Sequence, residues 1–359
     1  MGILERTGLR VVRKRQWTKL AIAVFIVVGL LISSWHYGLF DRNSDKDSHE
    51  VRIAYLRVPN DELLAMSQGK LKNKLAEIGV KAKFVEFDSG VEANKALASG
   101  SIDYASMGIT NAVVALAKQI PTELIWVHEL LGETEGLVVK DSINSLSDLA
   151  GQTLATTFAS TSHYSLEKVL EEANLSGQVK LLDMKSTDIA ASWASGDIVG
   201  AYTWEPNLSQ LVSQSGHILL DSKELQGKGI VTANVMLGRK AYLNDHPEVT
   251  QAIIQSLEEA HQLYASQPDQ AAKVLGAELG MPADEVLKQM KGSKWLKAED
   301  QVQFNYLGSS QEKGNFVQII QSIADFLRSN RQLSDLPSQE AVQNFISPTY
   351  IESYLAKEE

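Results

Sequence analysis

An α/β fold of two lobes with a helical tail is the class this sequence predicts, on three observations. Strand-like and helix-like segments alternate with short connections from Val51 onward, and a second such run starts near Asp141. From Pro247 nearly every segment has helical spacing of its apolar residues. Alternation of this kind marks sheets covered by helices, and two runs mark two units.

Composition narrows the partners. The chain has 359 residues, 44% hydrophobic and 22% charged, and no cysteine. That excludes disulfides, thiolate chemistry, cysteine-type zinc sites and a lipid-anchored cysteine. The formal charge is −10, yet residues 1–19 carry six basic side chains and one acid, so the rest of the chain stands at −15. An acidic body argues against a nucleic-acid partner.

The N-terminal elements come first. Residues 1–19 read as a basic cytoplasmic segment. The apolar run "LAIAVFIVVGLLI" continues through "SSWHYGLF" to Phe40, so residues 20–40 match a bilayer span. The basic flank stays inside by the positive-inside rule, and Trp35 and Tyr37 suit the outer interface. The reading is one transmembrane signal-anchor; a cleavable signal peptide is the alternative, though no A-x-A site follows. Residues 41–50 read as a polar tether, which places residues 51–359 outside the cytoplasm.

The outer elements follow in order. "VRIAYL" is a buried strand. Residues 61–78 form a helix, with Leu64, Leu71, Leu75 and Ile78 on one face. "KAKFVEF" is a strand, and Ser89 with Glu92 makes a capping box that opens a short helix. "YASMG", "ELIWVHE" and "EGLVVK" are strands, with a helix over 111–118. In the second run, "TLATTF", "VKLLDM", "GAYTW" and "HILLDS" are strands separated by helices at 162–174, 188–195 and 206–213. "ANVMLG" is the last long strand. The pattern predicts mainly parallel sheets, with ligands bound at the carboxyl ends of the strands.

The chemistry concentrates at one strand-to-helix join, "TFASTSHYSLEKVL". Ser160, Thr161, Ser162, His163, Tyr164 and Ser165 are six neutral polar residues in a row. A helix start offers unpaired N–H groups and a partial positive charge, and hydroxyls add donors that turn to fit. Such a cradle suits an anion of fixed charge; the bland alternative is one cap and an exposed turn. "MGITNAV" repeats the design with Thr110 and Asn111. Trp204 in "AYTWEP" either covers part of a ligand or packs as an ordinary indole. Glu135 in "GETEGLVV" either accepts from an ammonium or is a solvated loop acid. No nucleophile elbow accompanies His163 and its serines, and the seven histidines lack metal-ligand spacing. No catalytic residue, metal or cofactor is expected.

Five segments carry a resemblance. "FDSGVEANKALASGSIDYASMGITNAVVALA", "LGETEGLVVKDSINSLSDLAGQTLAT", "FASTSHYSLEKVL", "ASWASGDIVGAYTWEPNL" and "RKAYLNDHPEV" are similar to the substrate-binding proteins of taurine and alkanesulfonate ABC importers. The likeness runs from about residue 51 to 264. It implies a two-lobed periplasmic-binding-protein fold, type II-like, that closes on its ligand. It also implies a sulfonate held by Thr110, Ser160, Thr161, Ser162 and His163, with Glu135 and Trp204 on the amine side. Where the taurine pattern has an aspartate before "RK", this chain has Asn234, which weakens ammonium binding through lost charge.

The resulting expectation is an extracytoplasmic, membrane-tethered solute-binding component of an ABC importer, not an enzyme. It binds a small sulfonate such as taurine and works with a permease and its ATPase. Lobe 1 comprises residues 51–138 and 236–359 and lobe 2 residues 139–235, with hinges near 137–140 and 235–238. Alternatives are another alkanesulfonate or small anion as ligand, or a tethered sensory receptor. An enzyme of thiamine-pyrimidine synthesis shares the superfamily fold, but the branch concerned depends on a cysteine-rich motif.

Overall fold

Two mixed β-sheets organise the chain. The computed structural model describes residues 50–358, so the basic segment, the apolar span 20–40 and residues 41–49 of the tether lie outside the described residues. Glu50, read as tether from sequence, opens the first strand. Among the described residues no helix is long and apolar enough to cross a membrane.

The strands are β1 (Glu50–Tyr55), β2 (Lys81–Glu86), β3 (Tyr104–Gly108), β4 (Thr122–Leu130), β5 (Glu135–Lys140), β6 (Thr153–Thr156), β7 (Lys180–Asp183), β8 (Gly200–Trp204), β9 (Gly216–Asp221), β10 (Ala233–Arg239) and β11 (Lys294–Trp295). One sheet has the order β11-β4-β10-β3-β1-β2, the other β7-β6-β8-β5-β9. The expectation of mainly parallel sheets is corrected. β10 runs antiparallel to β3 and β4, and β5 runs antiparallel to β8 and β9. These are the strands flanking the two crossings between sheets, over 131–134 and 222–232, where the chain changes sheet without a βαβ return. The crossings also precede the expected lobe boundaries by a few residues. All of β5 belongs to the second sheet and all of β10 to the first, so 137–140 and 235–238 are strand interior.

Local sequence explains the helix breaks. The segment read as one helix over 61–78 is two, Asp61–Ser67 and Lys70–Glu77. Gly69 between them has φ +71°, a left-handed conformation that glycine adopts without a Cβ penalty. Asn60 caps the first helix by accepting from Leu63 N at 3.0 Å. The capping box expected at Ser89 and Glu92 does not form: Ser89 makes no side-chain cap bond, and Glu92 instead meets Lys185 Nζ at 3.2 Å. A capping box does form at Ser145 and Asp148.

The main core runs through both sheets and joins the helical tail to the first. Helix Pro247–Ser266 packs on the two helices after β1, and helix Phe316–Ser329 packs on helix Ile109–Ala117. On β5 the faces alternate: Leu137 and Val139 enter the main core, and Val138 enters a second cluster with Trp193, Ile198 and Leu211. Asp103 ties β1 to the end of β10, accepting from Arg52 Nη2 at 2.9 Å and Arg239 Nη2 at 2.7 Å.

Candidate functional site

Five helices begin at one cavity, the shortest of them Asn207–Ser213, whose first residue Asn207 lines it. Gly90 and Ser186 are the first residues of helices Gly90–Ser99 and Ser186–Ser195, Gly108 precedes Ile109–Ala117, and Ser160 precedes Thr161–Glu172; all four residues line a cavity of about 220 Å³. That is below the roughly 300–1,000 Å³ of pockets for drug-sized ligands, so the space suits a smaller molecule. The helix starts approach closely because glycines permit it. A Cβ on Gly90 would lie 2.6 Å from Asn111 Oδ1, and one on Gly108 would lie 3.0 Å from Thr161 Cγ2.

The walls come from both sheets. Asn111 Nδ2 donates to Ala159 O at 3.1 Å, bridging the two halves, and Lys185 reaches Asp88 and Glu92 at the rim. The lining carries five carboxylates, Glu86, Asp88, Glu129, Glu135 and Glu205, against one guanidinium, Arg57. The cavity therefore joins positive helix ends to negative side chains, a combination suited to a ligand bearing both charges.

The residues singled out in sequence divide into two groups. Asn111, Glu135, Ser160, Thr161, Trp204 and Asn234 line the cavity. Thr110, Ser162 and His163 do not. Thr110 is fully buried with its Oγ1 unpartnered. His163 stacks on Phe158 with ring centroids 4.3 Å apart and meets Phe326 edge-on, facing the helical tail.

Ser162 is turned inward to Glu135, and that carboxylate accounts for much of the hydroxyl cluster. Glu135 Oε1 accepts from Thr161 Oγ1 and from Ser162 Oγ (2.8 Å). Its Oε2 accepts from Ser222 Oγ (2.8 Å) and Thr232 Oγ1 (3.0 Å). Four donors fill the lone-pair sites of a carboxylate. Burial raises the Glu135 pKa and the four hydroxyl bonds oppose that rise. Ser160 is the helix N-cap: its Oγ accepts from His163 N (3.2 Å) and donates to Thr157 O (2.6 Å). The three hydroxyl protons are thus used within the protein, and the donors left at this helix start are main-chain N–H groups.

Sequence reasoning missed three participants. Ser222 and Thr232 lie in the second crossing, at opposite ends of 222–232, and no local motif marks them. Glu129 had a signal: an acid near the carboxyl end of an otherwise buried strand. Asn234 pairs with Glu129 and Val235 with Val127, leaving His128 as an extra residue in β4. A bulge of this kind re-aims side chains. Glu129 faces the cavity, and its Oε1 accepts from Asn234 Nδ2 at 2.6 Å. Its Oε2 is buried and has no partner. Burial pushes its pKa up to about 8.

Behind Glu129 lies a buried polar chain. His128 Nδ1 is 2.6 Å from Asp61 Oδ1, His128 Nε2 is 2.8 Å from Ser106 Oγ, and Trp126 Nε1 donates to Asp61 Oδ2 at 2.8 Å. The order Ser–His–Asp is that of a nucleophilic triad, but Ser106 does not line the cavity. Burial opposes charge on His128, yet the adjacent Asp61 carboxylate, together with Glu62 and Glu129, raises the pKa to about 9. These bonds link β3, β4 and helix Asp61–Ser67.

Comparison with known proteins gives the family and the fold. The NMT1-like family profile matches residues 44–278. The chain belongs to the NMT1-like family. It is 35% identical over 232 residues to the taurine-binding periplasmic protein of Escherichia coli (strain K12), covering 63% of this chain and 72% of that one. It is 27% identical over 248 residues to a putative aliphatic sulfonates-binding protein of the same strain, covering 67% and 75%. Among solved structures, the periplasmic aliphatic sulphonate binding protein SsuA from Escherichia coli superposes with a TM-score of 0.68 at 22% identity, covering 84% of this chain and 92% of that one. The desulfurization enzyme DSZB superposes with a TM-score of 0.62 at 17% identity, covering 86% and 100%. The structural likenesses establish the two-sheet periplasmic-binding-protein fold, which serves binding proteins and an enzyme alike. Within the NMT1-like family, this chain is homologous to periplasmic proteins named for taurine and aliphatic sulfonates.

Proposed function

We propose that the protein is the extracytoplasmic solute-binding component of an ABC importer, and that its ligand is a small aminosulfonate such as taurine. The observation that carries this reading is the juxtaposition of helix starts and carboxylates around one small cavity between the two sheets. The sulfonate, a permanent anion, sits against main-chain N–H groups at the starts of helices Ile109–Ala117 and Thr161–Glu172. Asn111, Ser160 and Thr161 shape that end. The ammonium lies among the carboxylates, and Trp204 covers the chain between. Thr110, Ser162 and His163 act from behind the wall by setting the position of the helices.

Binding draws the two halves together, and the closed form docks on a permease with a cytoplasmic ATPase behind it. No covalent step is needed. A plain alkanesulfonate is the second reading, favoured by the neutral Asn234 and by homology to a protein named for aliphatic sulfonates.

A thermal-shift screen of the full chain against taurine, ethanesulfonate, sulfate, nitrate and simple amines tests the proposal. Taurine should raise Tm most, ethanesulfonate less, and amines lacking a sulfonate not at all. A shift with nitrate or sulfate alone would replace the sulfonate reading with that of an inorganic-anion receptor.

A further inference from the structure

We infer that Glu129 is the ammonium anchor of the cavity and the residue that sets its preference for aminosulfonates over plain sulfonates. The inference rests on the sulfonate reading above and adds to it the residue that makes the choice.

The carboxylates of the wall are not equivalent. Glu86 and Asp88 stand at the exposed rim, where Glu86 accepts from Tyr55 Oη at 3.2 Å and Asp88 faces Lys185 at 3.4 Å. Glu205 accepts from Ser209 N at 3.0 Å, Ser209 Oγ at 2.6 Å and Gln289 Nε2 at 3.3 Å. Glu135 is saturated by its four hydroxyls. An ammonium approaching Glu135 would have to displace donors already in place. Glu129 is different: it is 3% exposed, lines the cavity, and keeps Oε2 without a donor.

A buried acceptor with an empty lone pair is costly until a donor arrives. An ammonium brings three donors and a positive charge. Asn234 holds Oε1 at 2.6 Å and so fixes the direction in which Oε2 points. The amide at 234 adds no charge of its own, so the negative charge of this corner resides on β4 rather than β10. A ligand with a methyl group in place of the ammonium leaves Oε2 unpaired, and sites built around such a bond reject the analogue that lacks it.

The test compares taurine with ethanesulfonate by calorimetric titration on the full chain, in the wild type, in Glu129→Gln and in the double variant Glu129→Gln with Asn234→Asp. The wild type should prefer taurine by more than about tenfold, in line with a hydrogen bond to a charged group. Glu129→Gln should reduce that preference by about tenfold or more and leave ethanesulfonate within about threefold. The double variant returns one carboxylate to the same corner from the opposite strand and should restore most of the preference. An unchanged ratio in Glu129→Gln, or equal weakening of both ligands, would overturn the inference while leaving the sulfonate reading in place. Failure of the double variant to regain preference would assign Glu129 a bracing role only. If the wild type binds neither ligand, the sulfonate reading falls and this inference with it.

Discussion

Asn234 Nδ2 donates to Glu129 Oε1 at 2.6 Å across the antiparallel pair β10–β4, and this bond occupies one side of a buried carboxylate that lines the cavity. The corner thus holds one charge where a strand-end aspartate beside a glutamate would hold two. That charge is costly in the empty protein, because burial pushes the Glu129 pKa up to about 8.

Proton release should therefore accompany binding of an ammonium ligand. Burial favours the protonated form of Glu129 in the empty site, and an ammonium favours its ionised form. The groups facing Glu129 are Asn234 from β10 and His128 within β4, with Asp61 and Glu62 of helix Asp61–Ser67 beyond. Taurine affinity should rise from pH 6 to pH 8. Titration in two buffers of different ionisation heat should show a proton leaving, and Glu129→Gln should abolish it. Flat affinity with no proton transfer would contradict the assignment.

Stability without ligand should fall as pH rises from 6 to 9. Three buried groups hold protons more tightly in the folded protein: burial raises Glu62 from 4.5 to about 7 and Glu129 from 4.5 to about 8, and against burial Asp61, with Glu62 and Glu129, raises His128 from 6.5 to about 9. The folded state then binds more protons than the unfolded state across this window, so stability decreases with pH. The His128 contribution is complete below 6.5 and lost as pH passes through 9. Tm measured at pH 6 and pH 9 checks the sign. Asp61→Asn should flatten the slope, and a Tm that climbs with pH would refute the account.

Ser162→Ala should cost stability as well as affinity. Ser162 is fully buried and donates to Glu135, which would keep three of its four donors. Losing a hydrogen bond to a buried polar group costs about 1–3 kcal/mol. The ligand-free Tm should drop by several degrees. An unchanged Tm with weakened ligand binding would make Ser162 a direct ligand contact instead.

Lys185→Glu should weaken ligand binding without destabilising the empty protein. Lys185 joins the start of a helix on the second sheet to Asp88 and Glu92 on the first, at 3.4 and 3.2 Å. All three side chains are solvent-exposed, so their attraction is small and salt-sensitive. A loss of about threefold in affinity, fading at high salt, is expected from a rim contact of this kind. No change at low salt would exclude a part in closure.

The sequence made most strands legible, because their apolar runs are short and bounded by turn residues; "EGLVVK" and "GAYTW" match β5 and β8 residue for residue. Strand direction was not legible, since antiparallel entry of β5 and β10 depends on where the chain changes sheet. Within the site, "ASTSH" marked a helix start correctly, but the direction of each hydroxyl depends on a distant partner. Thr161 and Ser162 turn to Glu135, 26 and 27 residues away, and that carboxylate is completed by Ser222 and Thr232. His163 looked like a ligand donor in the string, yet helical spacing turns it to Phe158 and Phe326. Glu129 was hidden by the bulge at His128, which no propensity records.

Equilibrium titration of the purified full chain with taurine tests the central claim most directly. The account predicts one saturable site per chain, lost when Gly108→Val drives a side chain toward Thr161 across the cavity wall. Absence of saturable taurine binding to the folded wild type, or binding untouched by that substitution, would contradict it.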